Sequence, residues 1–201
     1  MVSMLQASLR APVTKIITPL CRGLLRLGIT ANAMTVIGSA ATLISSVYFF
    51  AQGKFFIGSI VVTLIVLTDL LDGTLARLSP NGPSTWGALL DSTLDRLGDS
   101  VIIGSLLYWL IAEGDALIPL ALISLVSGGL VSYVKARAES LDIVCNGGFA
   151  ERTERLAIFL IAVGFHGLGV DYILAIGLWT LAIVSTLTVI QRLMIVYRAT
   201  Q

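Results

Sequence analysis

The sequence predicts an all-α integral membrane protein with six transmembrane helices, preceded by an N-terminal amphipathic juxtamembrane helix. Of its 201 residues, 56% are hydrophobic and only 12% are charged, whereas a soluble domain carries about 25% charged residues. The mean hydropathy is +0.94. Six spans of about 20 residues each fit this length. We therefore expect one membrane domain over residues 1–201, with a juxtamembrane segment at 1–30 and a six-helix bundle at 31–201.

The N-terminal segment mixes basic residues with Leu, Ile and Pro between Leu9 and Leu27. This composition predicts a helix in the membrane interface, although an ordinary basic juxtamembrane segment would have the same composition. Six apolar stretches follow, and turn-forming residues separate them. The predicted spans are at about 33–52, 55–78, 87–112, 116–137, 154–170 and 172–196.

The placement of positive charge predicts the orientation of these spans. With six crossings, all Lys and Arg residues except Lys54 fall on or near one side, and such residues favour the cytoplasmic side. We therefore expect a protein of the cell membrane with both termini and the active site facing the cytoplasm. The net charge of +1 argues against nucleic-acid binding, which needs concentrated positive charge.

Five aspartates lie within two predicted spans, where a carboxylate costs at least about 2.5 kcal/mol unless it meets a partner, a cavity or a metal. They are Asp69, Asp72, Asp91, Asp95 and Asp99. Their spacings of three and four residues place each group on one helical face. A helical hairpin centred near Gly82 would bring the two groups to matching depths. Oxygen ligands of this kind favour Mg²⁺ or Mn²⁺ over Zn²⁺. The alternative is a set of helix caps and ion pairs with Arg77 and Arg96.

The run from Asp69 to Asp95 has the form D-x2-D-G-x2-A-R-x9-G-x3-D-x3-D. It resembles the signature of the CDP-alcohol phosphotransferases, membrane enzymes that make phospholipids from a CDP-linked donor and an alcohol acceptor. Within that family, the chain is similar to the actinobacterial phosphatidylinositol phosphate synthases. The segments that carry this similarity are RGLLRLGIT near the N-terminus, SYVKARAES at Ser132–Ser140 and GGFAERTER at Gly147–Arg155.

The resemblance implies a site with two Mg²⁺ ions, or Mn²⁺ in their place. Asp69, Asp72, Asp91 and Asp95 would be the metal ligands, and Asp95 would also be the catalytic general base. Asp99 lies outside the motif, so we expect it to have a supporting or structural role. The residues expected to bind CDP-diacylglycerol are Asn32, Ala33, Met34, Thr35, Gly73, Ala76, Arg77, Ser84 and Gly87.

A second group of charges predicts the acceptor. Basic residues end the fourth and sixth predicted spans and open the fifth, all on the predicted cytoplasmic side, and several Arg side chains suit a phosphomonoester. The family resemblance associates four of them with an inositol phosphate pocket, namely Lys135, Arg137, Arg155 and Arg192. Attraction to anionic lipid headgroups is the alternative for each of them, most of all for Arg152. The glutamates nearby, Glu139, Glu151 and Glu154, could pair with these bases or meet sugar hydroxyls.

The predicted function is transfer of the phosphatidyl group from CDP-diacylglycerol to the hydroxyl of inositol 1-phosphate, with release of CMP. One alternative is a phosphatidylglycerophosphate synthase, which uses glycerol 3-phosphate. An alternative from another class is a divalent-cation transporter that uses the same aspartates. The resemblance also implies a homodimer.

Overall fold

The computed structural model describes residues 17–79, 82–145 and 147–201, and for residues 69 and 70 it describes the backbone alone. The described chain is helical and contains no strands. Residues 1–16 of the predicted juxtamembrane helix lie outside it. The helices are α1 at 17–26, α2 Ala31–Phe50, α3 Phe55–Leu67, α4 Asp69–Leu78, α5 Thr85–Glu113, α6 Ile118–Glu139, α7 Arg152–His166 and α8 Asp171–Ala199.

Four stretches of the described chain are long and apolar enough to cross a membrane, which makes this a multi-pass membrane protein. They are Ala31–Phe50, Phe55–Leu78, Ile118–Glu139 and Asp171–Ala199. The other two predicted spans correspond to α5 and α7. The first half of α5 carries four charged residues, and the 15 residues of α7 reach about 22 Å, short of a hydrocarbon core of about 30 Å. The count of six crossings therefore stays a prediction.

The predicted span at 55–78 is divided at Thr68 into α3 and α4. The Thr68 hydroxyl donates a hydrogen bond to the Ile65 carbonyl at 2.5 Å, and its backbone N–H bonds the same carbonyl at 2.8 Å. The Leu71 N–H in turn bonds the Thr68 carbonyl at 2.8 Å. These hydrogen bonds join residues three positions apart, as in a 3₁₀ turn, instead of four as in an α-helix. The α-helix is therefore interrupted here, and a new helix begins at Asp69.

The described chain forms two compact units, of which the first comprises residues 17–42 and the described part of Leu64–Asp95. Within it, Cys21 on α1 is fully buried, and its Sγ donates to the Leu71 carbonyl of α4 at 3.7 Å. Burial raises the pKa of the Cys21 thiol, which keeps it a protonated donor. The cysteine thus attaches α1 to the helix that carries Asp72.

The second unit comprises Leu43–Thr63 and Arg96–Gln201, and in it α8 packs against α6 and α7. Small residues allow this close approach: a Cβ on Gly177 of α8 would lie 2.3 Å from the Ala162 Cβ of α7. The single histidine, His166, packs against Phe55 with ring centroids 5.4 Å apart, and against Trp109 at 6.1 Å.

Candidate active site

A groove in the first unit brings together residues from the two segments predicted to bind the donor. Its volume is about 330 Å³. The start of α2, the body of α4, the turn after it and the start of α5 form its walls. The predicted donor and metal residues that line it are Asn32, Thr35, Asp72, Gly73, Ala76, Ser84, Gly87 and Asp91.

Two of the four predicted metal ligands, Asp72 and Asp91, face this groove. Asp72 is buried, with 8% exposure, and its Oδ2 accepts a hydrogen bond from the Thr35 hydroxyl at 2.8 Å. Asp95 is half-buried on α5 and outside the groove lining, and the Asp69 side chain lies outside the described part. Among the described residues, no three or more His, Cys, Asp or Glu side chains form a group able to hold a metal, so the four-aspartate site stays a prediction.

The glycines of the motif have different surroundings. A Cβ on Gly87 would lie 2.8 Å from the Asn32 Oδ1 and 3.0 Å from the Ser84 Oγ, so glycine permits the close approach of α2 and α5. Among the described residues, a Cβ on Gly73 would come within 4 Å only of the Arg77 Nη1, at 3.9 Å. Packing against this described part of the chain therefore does not require glycine at position 73. Its open face leaves space in the groove for a ligand.

Two hydroxyl side chains at the groove also begin helices. The Ser84 Oγ accepts the Gly87 N–H at 2.9 Å and caps α5. The Thr30 Oγ1 accepts the Ala33 N–H at 3.2 Å and caps α2. Thr30 also lines the groove and was missed from the sequence, although a Thr directly before a helix is a common capping signal.

Three predicted donor residues, Ala33, Met34 and Arg77, are not part of the groove lining. Ala33 is exposed on the first turn of α2 and Met34 is half-buried next to it. The Arg77 Nη2 donates to the Thr74 Oγ1 at 3.1 Å. This bond, together with the 3.9 Å approach to Gly73, places the guanidinium group at the border of the groove.

The predicted acceptor residues belong to the second unit and have two kinds of surroundings. Lys135 forms an exposed ion pair with Glu139 at 3.9 Å, and the Arg137 Nη1 donates to the exposed Ser140 Oγ at 3.2 Å. Exposed pairs of this kind contribute little to stability. Both side chains can therefore exchange these partners for a ligand at low cost.

Arg155 and Arg192 are buried, with 8% and 5% exposure. The Arg155 Nη1 donates to the Ala150 carbonyl at 3.3 Å. Arg192 donates from Nη1 to the Val131 carbonyl at 2.6 Å and from Nε to the Gly147 carbonyl at 2.9 Å. Arg192 thus connects α8, α6 and the segment before α7 through backbone oxygens.

Arg152 and Asp99 form an ion pair that the sequence did not predict. The Arg152 Nε lies 3.1 Å from Oδ1 and 3.3 Å from Oδ2 of Asp99. The sequence favoured attraction to lipid headgroups for Arg152 and offered the aspartates only Arg77 and Arg96 as ion-pair partners, because nothing in the spacing links two residues 53 positions apart. Glu154 also has a defined contact, since its Oε2 accepts the Glu151 N–H at 2.9 Å and caps α7.

Comparisons with known proteins identify the family of this chain. Residues 28–190 match the family model described as CDP-alcohol phosphatidyltransferase. The phosphatidylinositol phosphate synthase of Streptomyces avermitilis is 42% identical over 205 residues, covering 98% of this chain and 84% of the relative. The enzyme of the same name from Mycobacterium tuberculosis is 40% identical over 189 residues, covering 92% of this chain and 87% of its own.

Solved structures of the Mycobacterium tuberculosis enzyme have a similar fold. The crystal structure with CDP-DAG bound has a TM-score of 0.87 at 40% identity and covers 91% of this chain and 94% of that chain. The complex with manganese and citrate has a TM-score of 0.85 at 40% identity and covers 90% and 88%. The family match over most of the chain, supported by these relatives, shows that this protein belongs to the CDP-alcohol phosphatidyltransferase family.

Proposed function

We propose that the protein transfers the phosphatidyl group of CDP-diacylglycerol to a hydroxyl of inositol 1-phosphate, forming phosphatidylinositol phosphate and CMP. The observation that carries this proposal is the groove of the first unit, which gathers Asp72, Asp91 and the glycines of the family motif around one space. The names of the relatives support the donor and the acceptor. Membership of an enzyme family favours this function over divalent-cation transport.

The donor set fits a divalent cation. Asp72 and Asp91 offer carboxylate oxygens to the groove, and hard cations such as Mg²⁺ and Mn²⁺ prefer oxygen ligands. We propose that Asp69, Asp72, Asp91 and Asp95 hold two Mg²⁺ ions, and the manganese complex of the relative supports Mn²⁺ as a substitute. Bound cations supply charge neutralisation at the pyrophosphate.

The side chains have separate roles in the proposed reaction. Asp95 accepts the proton of the acceptor hydroxyl, and the resulting oxygen attacks the β-phosphorus of CDP-diacylglycerol. The bond between this phosphorus and the oxygen that bridges to CMP breaks, and CMP leaves. Arg77, at the border of the groove, contributes a positive charge to the diphosphate. Asn32 and Ser84 offer polar contacts to the nucleotide.

The acceptor phosphate is assigned to the basic residues of the second unit. Arg155 carries a delocalised charge that suits a phosphate dianion, and Lys135 and Arg137 are exposed enough to reach a soluble substrate. Arg192 donates hydrogen bonds to two backbone carbonyls and adds a positive charge to the same unit. An uncharged alcohol would not need this concentration of cations.

For the whole chain, we propose six membrane crossings, with α5 and α7 as the two that length and composition alone do not establish. Its place is the cell membrane, with both termini and the site on the cytoplasmic side. The chain acts as a single membrane domain and forms a homodimer, as the family resemblance implies.

The test is a reconstituted reaction with purified protein, Mg²⁺, CDP-diacylglycerol and labelled inositol 1-phosphate. We expect labelled phosphatidylinositol phosphate and one CMP for each lipid formed. Competition with glycerol 3-phosphate, also a phosphomonoester, separates the two acceptors: preferential use of glycerol 3-phosphate would refute the inositol assignment. Asp95→Asn should abolish turnover while CDP-diacylglycerol still binds, and retained activity would remove its role as the base.

A further inference from the structure

Asp99 and Arg152 connect α5 to the first turn of α7 within the second unit. One N–H of Arg152 is shared between both carboxylate oxygens, at 3.1 and 3.3 Å. The two side chains are only 28% and 25% exposed, in contrast to the exposed pair of Lys135 and Glu139. Because the bond is made through Nε, it fixes the plane and the direction of the guanidinium group.

The ion pair lies next to a residue that is predicted to bind the acceptor. Arg152 and Arg155 are three residues apart on α7, a spacing that places them on the same side of the helix. Both line the same small cavity as Asp99. Arg155 is buried, with 8% exposure, and the charges of Asp99 and Arg152 both act on it. Arg152 is therefore in position to act on an anion together with Arg155.

A small cavity lies beside the pair and is lined by Asp99, Arg152, Arg155 and the buried serines Ser124 and Ser185, among others. Its volume of about 40 Å³ admits water but not a sugar phosphate. The acceptor therefore does not bind inside it. Ordered water there would hydrate the inner polar ends of the ion pair.

We propose that Asp99 is a positioning residue for the acceptor, holding Arg152 in the orientation in which it meets the phosphate together with Arg155. This inference rests on the proposed function, since it takes the acceptor to be a phosphomonoester. It extends the acceptor site to Arg152 and gives Asp99, which the family motif does not include, a role in substrate recognition. The competing possibility is that Asp99 merely repels the phosphate. In that case, removing its charge would lower the KM for inositol 1-phosphate, whereas a positioning role predicts a higher KM.

The experiment compares Asp99→Asn, Asp99→Glu, Arg152→Gln and the double variant Asp99→Asn with Arg152→Gln. We expect Asp99→Asn and Arg152→Gln each to raise the KM for inositol 1-phosphate about tenfold, as expected for a lost charged hydrogen bond. The kcat and the KM for CDP-diacylglycerol should stay unchanged. Since Asp99 acts through Arg152, the double variant should be no worse than the more affected single one, and Asp99→Glu should restore part of the affinity.

The matched control is Glu113→Gln, which removes a carboxylate from the exposed end of α5 and should leave every constant unchanged. Calorimetric binding of inorganic phosphate to the same proteins provides a readout that does not require turnover.

A lower or unchanged KM in Asp99→Asn, or additive losses in the double variant, would overturn the inference. If Asp99→Asn does not fold, Arg152→Gln with a normal KM would overturn it equally. Absence of product from the wild-type protein, with phosphate binding still weakened in Asp99→Asn, would instead refute the proposed acceptor.

Discussion

At the scale of single residues, the contact between Thr35 and Asp72 connects the start of α2 to the metal motif. Asp72 is 8% exposed, so its carboxylate has few water molecules to orient it. The Thr35 hydroxyl supplies a hydrogen bond at 2.8 Å. Partners of metal ligands fix their direction and tune their basicity. Thr35 was expected to contact the donor, and its hydrogen bond to Asp72 leads us to propose a second role, in orienting a metal ligand.

Thr35→Val keeps the shape of the side chain and removes this hydrogen bond. We expect the Mg²⁺ or Mn²⁺ concentration needed for half-maximal activity to rise about 10-fold or more, as for other partners of metal ligands. Thr35→Ser keeps the hydroxyl and is the matched control. Equal metal dependence in Thr35→Val and the wild type, measured by metal titration of activity, would contradict this role.

Gly73 offers a second test at this scale, because the only described atom within 4 Å of an added Cβ would be the Arg77 Nη1, at 3.9 Å. Gly73→Ala should leave the thermal stability intact, since alanine is the better helix former. It should raise the KM for CDP-diacylglycerol roughly tenfold, because crowding of a packed contact costs about 1–3 kcal/mol.

The control for this substitution is Gly104→Ala on α5, where an added Cβ has no neighbour within 4 Å in the part of the chain that the structure describes. It should change neither the stability nor the KM appreciably. A normal donor KM in Gly73→Ala would show that the open face at residue 73 does not accommodate the donor.

At the scale of elements, the motif spacing predicted correctly that α4 and α5 would bring Asp72 and Asp91 to one groove. Carboxylates at matching distances from a turn near Gly82 come to the same depth if the two helices form a hairpin. Gly82 has a φ of 65°, a turn conformation that glycine adopts without strain. The break at Thr68 was not predictable, because the apolar pattern continues across it and the interruption comes from a local hydroxyl bond.

Glu154, in the first turn of α7, has two possible roles, helix capping and contact with the acceptor. The structure shows it accepting the Glu151 N–H at 2.9 Å, whereas the sequence also allowed a contact with sugar hydroxyls. Glu154→Ala should lower the free energy of unfolding by about 1 kcal/mol through loss of the cap. The KM for inositol 1-phosphate should stay normal.

Glu154→Gln retains an oxygen acceptor and should behave as the wild type in thermal unfolding. The two variants are compared by unfolding in detergent and by steady-state kinetics. A raised acceptor KM with unchanged stability in Glu154→Ala would assign the residue to substrate binding instead.

At the scale of the whole molecule, composition and charge placement were enough to predict a multi-pass helical membrane protein. The number of crossings is harder to derive, because the residues that carry chemistry lower the hydropathy of the helices that hold them. Asp91, Asp95 and Asp99 do this in α5, and the short α7 begins with Arg152. The pairing of Asp99 with Arg152 also depends on packing between distant segments, which no local pattern contains.

Single cysteines at loop positions test the six crossings and the orientation together. Lys54→Cys, Glu113→Cys and Leu168→Cys should react with a membrane-impermeant maleimide on intact cells. Thr200→Cys should react only after permeabilisation. The native Cys21 and Cys145 are buried, so background labelling should be low. Labelling of Thr200→Cys in intact cells, or protection of Leu168→Cys, would contradict this topology.

The bonds of Arg192 to the Val131 and Gly147 carbonyls have a consequence for substrate entry. A phosphate that drew this guanidinium group toward itself would leave both carbonyls without their donor, and the chain segment around Gly147 would lose one of its hydrogen bonds to α8. Amide protons in that segment would then exchange faster in the presence of the acceptor than in its absence. If Arg192 keeps its hydrogen bonds to both carbonyls while the acceptor is bound, the exchange of these amide protons is unchanged. The residue then acts on the phosphate only through its charge.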